Sequence, residues 1–307
     1  MQRWILGGVA TLLVVASVGA TVADSWGRLP HFDWRLEAGW LVLAVAGSVA
    51  LVFAHALLWQ RLLAALGEPI DLRRGLAIWC SSSLARYTPG TVLYSVLRVT
   101  MAQSAGIRKR TGFAAIVYEL AFMLMSTVLV GAYGLVQADP LGIGGGRWAI
   151  LALPVLGMGF MHPKVFRPLA DAALRRARKP ELVATLPVGR LLEFTLLYCL
   201  SWVVAGVALY ALMRGLLPVH ADDFVVVLAA PAVGFVASAI GFMIPGGLGV
   251  RETGVAAVLS IAIPFAAAVA IAIALRLVQL AVEIVCAAGT TVAAGHRLSG
   301  PWTPAGR

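Results

Sequence analysis

The sequence predicts an all-α, polytopic integral membrane protein with about six transmembrane helices and two re-entrant helical hairpins related as inverted repeats. Three observations lead to this fold class. Of the 307 residues, 61% are hydrophobic and only 12% are charged, about half the charged fraction of a soluble domain. The apolar residues form runs long enough to cross a bilayer, which takes roughly 20 residues. Two of these runs are interrupted by proline and glycine. A purely soluble protein is therefore excluded.

The apolar runs predict the elements in chain order. Six runs predict crossings, at 4–23, 38–60, 112–137, 148–162, 191–213 and 264–290. Two broken runs, 76–100 and 224–262, predict hairpins that leave the membrane on the side they entered. The first crossing is favoured over a cleaved signal peptide because its run is long enough to span. Residues 224–244 are also long enough to cross alone, so an arrangement with additional full spans stays open.

The basic residues predict the orientation. With the N-terminus inside, most lysines and arginines fall in cytoplasmic segments, as the positive-inside rule requires, and the net charge of +10 needs no nucleic acid to explain it. The basic segment 163–190 is expected to be a solvated cytoplasmic loop or, in part, an interfacial helix. We expect one transmembrane domain, 1–292, with a short tail, 293–307. Both termini would be cytoplasmic and the location the cell inner (plasma) membrane.

The order of the predicted elements indicates an internal repeat. Segments 38–137 and 191–290 each contain a span, a hairpin and a second span, and the two hairpins would enter from opposite sides. Interrupted segments in corresponding places of two inverted halves are the best sequence pointer to a transporter's binding site.

Charged residues within or beside the apolar runs need partners or water, because each costs about 2.5–3.5 kcal/mol at a helix centre. Four are positive and four negative: Arg86, Arg98, Arg251, Arg276, Glu119, Glu193, Glu252 and Glu283. Glu193 lies three residues after Arg190, so it is expected near the cytoplasmic edge and is the least informative of the set.

Two of these charges take equivalent places in the two halves. Glu119 follows Pro89 by 30 residues, and Arg276 follows Pro245 by 31. We therefore expect a Glu119–Arg276 ion pair across the pseudo-twofold axis, with a structural or a gating role. Arg98 and Glu283 are candidates for the same intramembrane pairing or gating.

The two breaks read "ARYTPGT" and "GFMIPGGLGVRETG". Proline and glycine free backbone N–H and C=O groups, which are tolerated at membrane depth only inside protein or beside a wet cavity. A helix that restarts there directs partial positive charge at the cavity, and this suits an anion such as a phosphate. The predicted substrate-binding residues are Arg86, Tyr87, Pro89, Gly90, Pro245, Gly246, Gly247, Gly249, Arg251 and Glu252. The alternative is that both breaks only kink packed helices.

Other reactive side chains give no catalytic pattern. The cysteines, Cys80, Cys199 and Cys286, stand apart in apolar runs and are interpreted as small buried hydrophobes. His55 is expected to be neutral and hydrogen-bonded to a neighbouring helix. Ser81, Ser82 and Ser83 are expected to satisfy the backbone or line the hairpin. With no metal-ligand spacing and no nucleophile–base arrangement, we expect neither a cofactor nor an enzyme.

The strings "ARYTPGTVLYSVLR…AGIRKRTGFAAIVYEL" and "FMIPGGLGVRETG" resemble the membrane region of lysylphosphatidylglycerol synthases, over nearly the whole chain. This flippase-like family occurs in bacterial multiple-peptide-resistance proteins and in stand-alone membrane proteins. The resemblance implies re-entrant helices, inverted repeats and the movement of lipids between leaflets. It carries over to Arg86, Tyr87, Pro89, Gly90 and Glu119, and to Pro245, Gly246, Gly247, Gly249 and Glu252. Only about 17 residues follow the last span, so we expect a member without the aminoacyltransferase domain.

Together these observations predict a flippase or scramblase for a lipid with an anionic, phosphate-containing headgroup. Two alternatives stay open: an integral-membrane transferase, or a non-catalytic scaffold in phospholipid, glycolipid or polyprenyl-lipid biosynthesis. The expected partner is a membrane lipid and not nucleic acid. Small-residue stretches such as "AAAVAIAIAL" also allow a homo-oligomer or a partner lipid-modifying enzyme.

Overall fold

The computed structural model describes residues 35–87, 92–138, 163–176, 186–240 and 249–294. These residues form α-helices and two short 3-10 helices, with no strand among them. The α-helices are α1 Ala38–Ala65, α2 Leu72–Leu84, α3 Val92–Ser104, α4 Lys109–Ala138, α5 Pro163–Arg176, α6 Val188–Leu216, α7 Phe224–Ile240, α8 Val250–Leu259 and α9 Phe265–Ala294. The 3-10 helices are Ala85–Tyr87 and Ala221–Asp223.

Five described segments are long and apolar enough to cross a membrane, so the protein is an integral membrane protein. They are Ala38–Ala65, Lys109–Gly134, Val188–Leu216, Ala221–Ala239 and Phe265–Ala294. Four of them coincide with predicted crossings, and the other falls in the predicted second hairpin. The predicted crossings 4–23 and 148–162 lie outside the described residues. The total number of crossings stays a prediction.

The outer faces of the long helices are apolar. Leu196 and Leu200 on α6 and Leu277 and Val285 on α9 are all more than half exposed. The inner faces hold large aromatic side chains such as Tyr198 at 0% exposure. Exposed apolar surface on this scale would be unfavourable in water and is suited to lipid.

The chain turns back between α2 and α3. Arg98 on α3 reaches back to the hydroxyls of Ser82 and Ser83 on α2. Glu68, before α2, accepts the backbone N–H of Arg108, after α3, at 2.6 Å. Because the chain enters and leaves this pair of helices at the same end, α2 and α3 form a hairpin. Its re-entrant placement in a bilayer stays a prediction.

The second pair, α7 and α8, is packed through small residues. A Cβ added at Gly254 on α8 would lie 2.8 Å from the Cβ of Ala237 on α7. A Cβ added at Gly234 would meet Val255 and the carbonyl of Arg251. These contacts bring α7 and α8 close together between Gly234 and Ala237. Glycine is needed on both because the backbones approach this closely.

The contacts between helices repeat in the two halves of the chain. Helix α2 packs on α1 and α9, and its counterpart α7 packs on α6 and α4. In the same way, α3 contacts α4 in the first half and α8 contacts α9 in the second. Helix α1 contacts α9, and the corresponding contact of the second half is between α6 and α4. Helices α1 and α6 pack against each other. The two halves of the chain therefore share one pattern of helix contacts, as two repeats would, and their relation by a twofold axis stays a prediction. The inversion of the repeats across the membrane stays a prediction.

The basic segment between the halves is helical over α5. Lys164, Arg175 and Arg176 are exposed there, and Asp171 is buried. A helix is the form that interfacial binding requires. Contact with lipid headgroups stays a prediction.

Candidate functional site

A cavity of about 220 Å³ lies between the two halves. Liquid water occupies about 30 Å³ per molecule, so the cavity has room for several waters or a small polar group. All four predicted intramembrane arginines line it, together with two glutamates: Arg86, Arg98, Arg251, Arg276, Glu119 and Glu283. The rest of the wall is largely aromatic and aliphatic and includes Trp202, Phe235, Leu51 and Met123.

Arg98 and Glu119 form the most completely bonded pair at the cavity. The Arg98 Nη1 lies 2.6 Å from the Glu119 Oε2, and the two side chains are 2% and 8% exposed. Arg98 also donates to the hydroxyls of Ser82 and Ser83, both at 3.0 Å. Trp79 donates its indole N–H to the other Glu119 oxygen at 3.2 Å.

Aromatic rings complete the surroundings of Arg98. Its Cζ lies 5.0 Å from the ring centre of Trp79, 5.5 Å from that of Tyr94 and 5.8 Å from that of Trp59. Each ring face attracts the cation. The pair connects α3, the second arm of the hairpin, to α4.

Arg86 and Glu283 form a looser pair that connects the hairpin to α9. Their nearest N and O atoms are 3.7 Å apart, and the Arg86 side chain is 31% exposed. Tyr87 donates its hydroxyl to Glu283 at 3.1 Å, and its ring lies 4.8 Å from the Arg276 Cζ. Tyr87 therefore contacts both charges that α9 contributes at this level.

Glu252 has two roles at the start of α8. Its Oε2 accepts the Gly249 N–H at 2.7 Å, which satisfies a donor at the helix N-terminus. Its Oε1 lies 3.5 Å from the Arg276 Nε and makes no hydrogen bond within the described residues. Gly249 has φ +82°, a conformation that L side chains rarely adopt.

The predicted Glu119–Arg276 pair is wrong. Each residue pairs within its own half, Glu119 with Arg98 and Arg276 with Glu252. The reason is the hairpin, whose second arm returns along the following span and places its own charge against that span first. The two pairs occupy corresponding positions with the signs exchanged, since the hairpin carries the arginine in the first half and the glutamate in the second.

The predicted balance of four positive and four negative charges also needs correction. Glu193 pairs with Arg190 at 2.6 Å on exposed helix surface and takes no part in the cavity. Four arginines and three glutamates then make up the central cluster. The break segments 88–91 and 241–248, outside the described residues, contain no charged side chain.

Arg251 is the cation in excess. It is half-buried and lines the cavity, and no ion pair or hydrogen bond of its side chain occurs within the described ranges. An unpaired charge at membrane depth costs about 2.5–3.5 kcal/mol. Among the described residues, the cluster therefore carries one positive charge in excess.

Several wall residues had no sequence signal. Trp79, Tyr94 and Gln279 line the cavity, but nothing in the sequence distinguishes them from their neighbours in the apolar runs, so only the packing of α2, α3 and α9 identifies them. His55 was expected to bond a neighbouring helix, and this is confirmed: its Nε2 lies 3.1 Å from the Ser201 Oγ on α6. Ser82 and Ser83 were expected to satisfy the backbone or line the hairpin, and their hydroxyls accept hydrogen bonds from Arg98 in the second arm.

The profile of one protein family, described as the lysylphosphatidylglycerol synthase TM region, matches residues 4–287. The chain belongs to this family. The suspected resemblance is thereby confirmed, and the protein shares the membrane domain of lysylphosphatidylglycerol synthase-like proteins. No curated protein matches the chain.

The residues carried over from the lysylphosphatidylglycerol synthase family have different places in the structure. Arg86 and Glu119 lie on the cavity wall. Tyr87, Gly249 and Glu252 do not line the cavity. Tyr87 contacts Glu283 and Arg276, and the contact between Gly249 and Glu252 lies at the start of α8. The remaining predicted binding residues lie outside the described residues: Pro89, Gly90, Pro245, Gly246 and Gly247.

Proposed function

We propose that this family member translocates a lipid with an anionic, phosphate-containing headgroup between the leaflets of its membrane. The observation that carries the proposal is Arg251, a cation without a counter-ion among the described residues, on the wall of a cavity between two repeated halves. An anionic headgroup would supply the missing charge. Arg86, which is partly exposed and loosely paired, would provide the second contact.

The apolar part of the wall supports a lipid as the ligand. Trp202, Phe235 and Met123 line the same cavity as the charges. A headgroup would bind at the arginines while its hydrocarbon chains stay against apolar side chains or in the bilayer. A small soluble anion would have no use for this part of the wall.

Two of the three ion pairs are candidates for rearrangement during transport. Arg86–Glu283, at 3.7 Å, and Arg276–Glu252, at 3.5 Å, are longer than Arg98–Glu119 at 2.6 Å. Translocation needs a site that is open to each side in turn, and interfaces that switch between two arrangements allow it. The longer pairs would break and re-form, while Arg98–Glu119 would keep the first hairpin in place.

The test is a leaflet-exchange assay in proteoliposomes. Fluorescent phosphatidylglycerol and a zwitterionic control lipid are compared with a membrane-impermeant quencher, using wild type, Arg251→Gln and Arg86→Gln. Arg190→Gln is the matched control, because it removes an arginine whose pair lies on exposed surface. We expect wild type and Arg190→Gln to exchange the anionic lipid, and both cavity variants to be slower.

Two results would contradict the proposal. Folded wild-type protein that exchanges neither lipid, with or without an ion gradient, would favour a transferase or a scaffold. Exchange that is equally fast in all three variants would place the pathway away from this cavity.

A further inference from the structure

The charges around the cavity can be counted among the described residues. Arg86, Arg98, Arg251 and Arg276 are opposed by Glu119, Glu252 and Glu283, each of which lies within 4 Å of one of the arginines. Each of the three glutamates therefore has an arginine as its counter-ion. Within the part of the chain that the structure describes, the site therefore has one positive charge in excess.

Net charge matters more here than at a protein surface. In a membrane-embedded cavity of low dielectric constant, a charge left without a partner is strongly unfavourable. A ligand with one negative charge leaves the filled site neutral. A zwitterionic ligand leaves one positive charge, and a dianionic ligand leaves one negative charge.

We infer that the cavity selects its ligand by net charge and takes a monoanionic phosphodiester headgroup, in preference to a zwitterionic headgroup or a dianionic phosphomonoester. This inference rests on the proposed function for the nature of the ligand as a lipid. It adds a rule of selection, carried by the excess of one arginine, that translocation by itself does not require.

The rule predicts that selectivity follows the charge of the site when single residues are changed. Arg251→Gln makes the cluster neutral, so the affinity for zwitterionic lipid should rise relative to the affinity for monoanionic lipid. Glu283→Gln raises the excess to two positive charges, so the affinity for dianionic lipid should rise relative to the affinity for monoanionic lipid. The double variant Arg251→Gln/Glu283→Gln has the wild-type excess of one and should regain the monoanion preference. Glu193→Gln, on the exposed pair with Arg190, is the matched control and should keep the wild-type order.

The measurement is lipid binding to purified protein in neutral detergent, followed by native mass spectrometry with each lipid in competition. The probes are phosphatidylethanolamine, phosphatidylglycerol, and phosphatidic acid at mildly alkaline pH, where its phosphomonoester is mainly dianionic. We expect wild type to prefer phosphatidylglycerol by about tenfold over either competitor, a difference of about 1.4 kcal/mol. The preferred lipid should change in each single variant and return in the double variant.

Separate outcomes test the inference and the proposed function. If wild type and all variants rank the three lipids by affinity in the same order, the charge rule is overturned, whatever the exchange assay gives. An order that follows the charge, without leaflet exchange, would support the rule and contradict translocation. Soluble glycerophosphoglycerol that competes as well as phosphatidylglycerol would identify a soluble anion as the ligand, and would overturn the lipid assignment.

Discussion

The Arg98 guanidinium lies 2.6 Å from the Glu119 carboxylate. The counterpart of this pair in the other half of the chain is the Glu252–Arg276 pair, in which the charges are exchanged. The first pair has further hydrogen bonds to Ser82, Ser83 and Trp79, and Arg98 lies over three aromatic rings. The second is longer and shares its glutamate with a helix N-terminus. Two repeats with one fold thus have a rigid charge pair in one half and a less constrained pair in the other.

The first prediction concerns the stability of the rigid pair. Arg98→Met or Glu119→Leu alone should lower the free energy of unfolding by about 3–5 kcal/mol, because each leaves a buried charge uncompensated. The double variant should be less destabilised than either single variant, since no charge is then left unpaired. Thermal unfolding in detergent measures this. Arg190→Gln should cost less than about 1 kcal/mol, because its pair is exposed, and a double variant that loses the sum of both single losses would contradict the pairing.

The second prediction separates the two roles of Glu252. Glu252→Gln keeps an oxygen that can accept the Gly249 N–H, whereas Glu252→Ala removes it. Both variants lose the charge opposite Arg276. We expect the alanine variant to be less stable than the glutamine variant by about 1 kcal/mol, the usual worth of a helix cap. Unfolding of the two proteins in the same detergent compares them. Equal stability would mean that the contact with Gly249 contributes nothing.

The third prediction concerns the close contact between α6 and α7. A Cβ at Gly206 would lie 2.6 Å from the backbone Cα of Leu228, so Gly206→Ala must move one helix. The expected loss in the free energy of unfolding is about 1–3 kcal/mol. The control lies on the same helix: Gly189→Ala meets nothing within 4 Å and should leave the melting temperature unchanged. A Gly206→Ala protein as stable as the control would show that this contact is not tight.

The fourth prediction tests whether α7 and α8 form a re-entrant hairpin. Single cysteines at Asp222 and Ser260, both exposed, should react with an impermeant thiol reagent from the same, outer side of sealed vesicles. The native Cys80, Cys199 and Cys286 are replaced first. A cysteine at Gln103, exposed at the end of α3, should react only after permeabilisation. Labelling of positions 222 and 260 from opposite sides would mean that this segment crosses the membrane.

The sequence alone determined the class of this protein and the chemistry of its centre. Long apolar runs have one stable environment, lipid, and their length and composition are enough to identify an integral membrane protein. Charges in such runs are too costly to be incidental. Arg86 and Arg251 were therefore predicted to bind substrate, and Arg98, Arg276, Glu119 and Glu283 to pair or gate within the membrane. The structure brings these six to one cavity, whereas Glu193 and Glu252 do not line it.

The partners of those charges were decided only by the tertiary structure. Counting from the two prolines placed Glu119 and Arg276 in equivalent positions, but equivalent positions under a twofold axis need not touch. Each charge meets the arm of its own hairpin first, which is why Glu119 binds Arg98 and Arg276 lies beside Glu252. The spacing of Glu193 from Arg190 placed Glu193 near the cytoplasmic edge, but only the packing of the helices shows that Arg251 has no counter-ion among the described residues. Spacing along the chain determines which residues are available, while the distances that control electrostatic energy exist only once the helices pack.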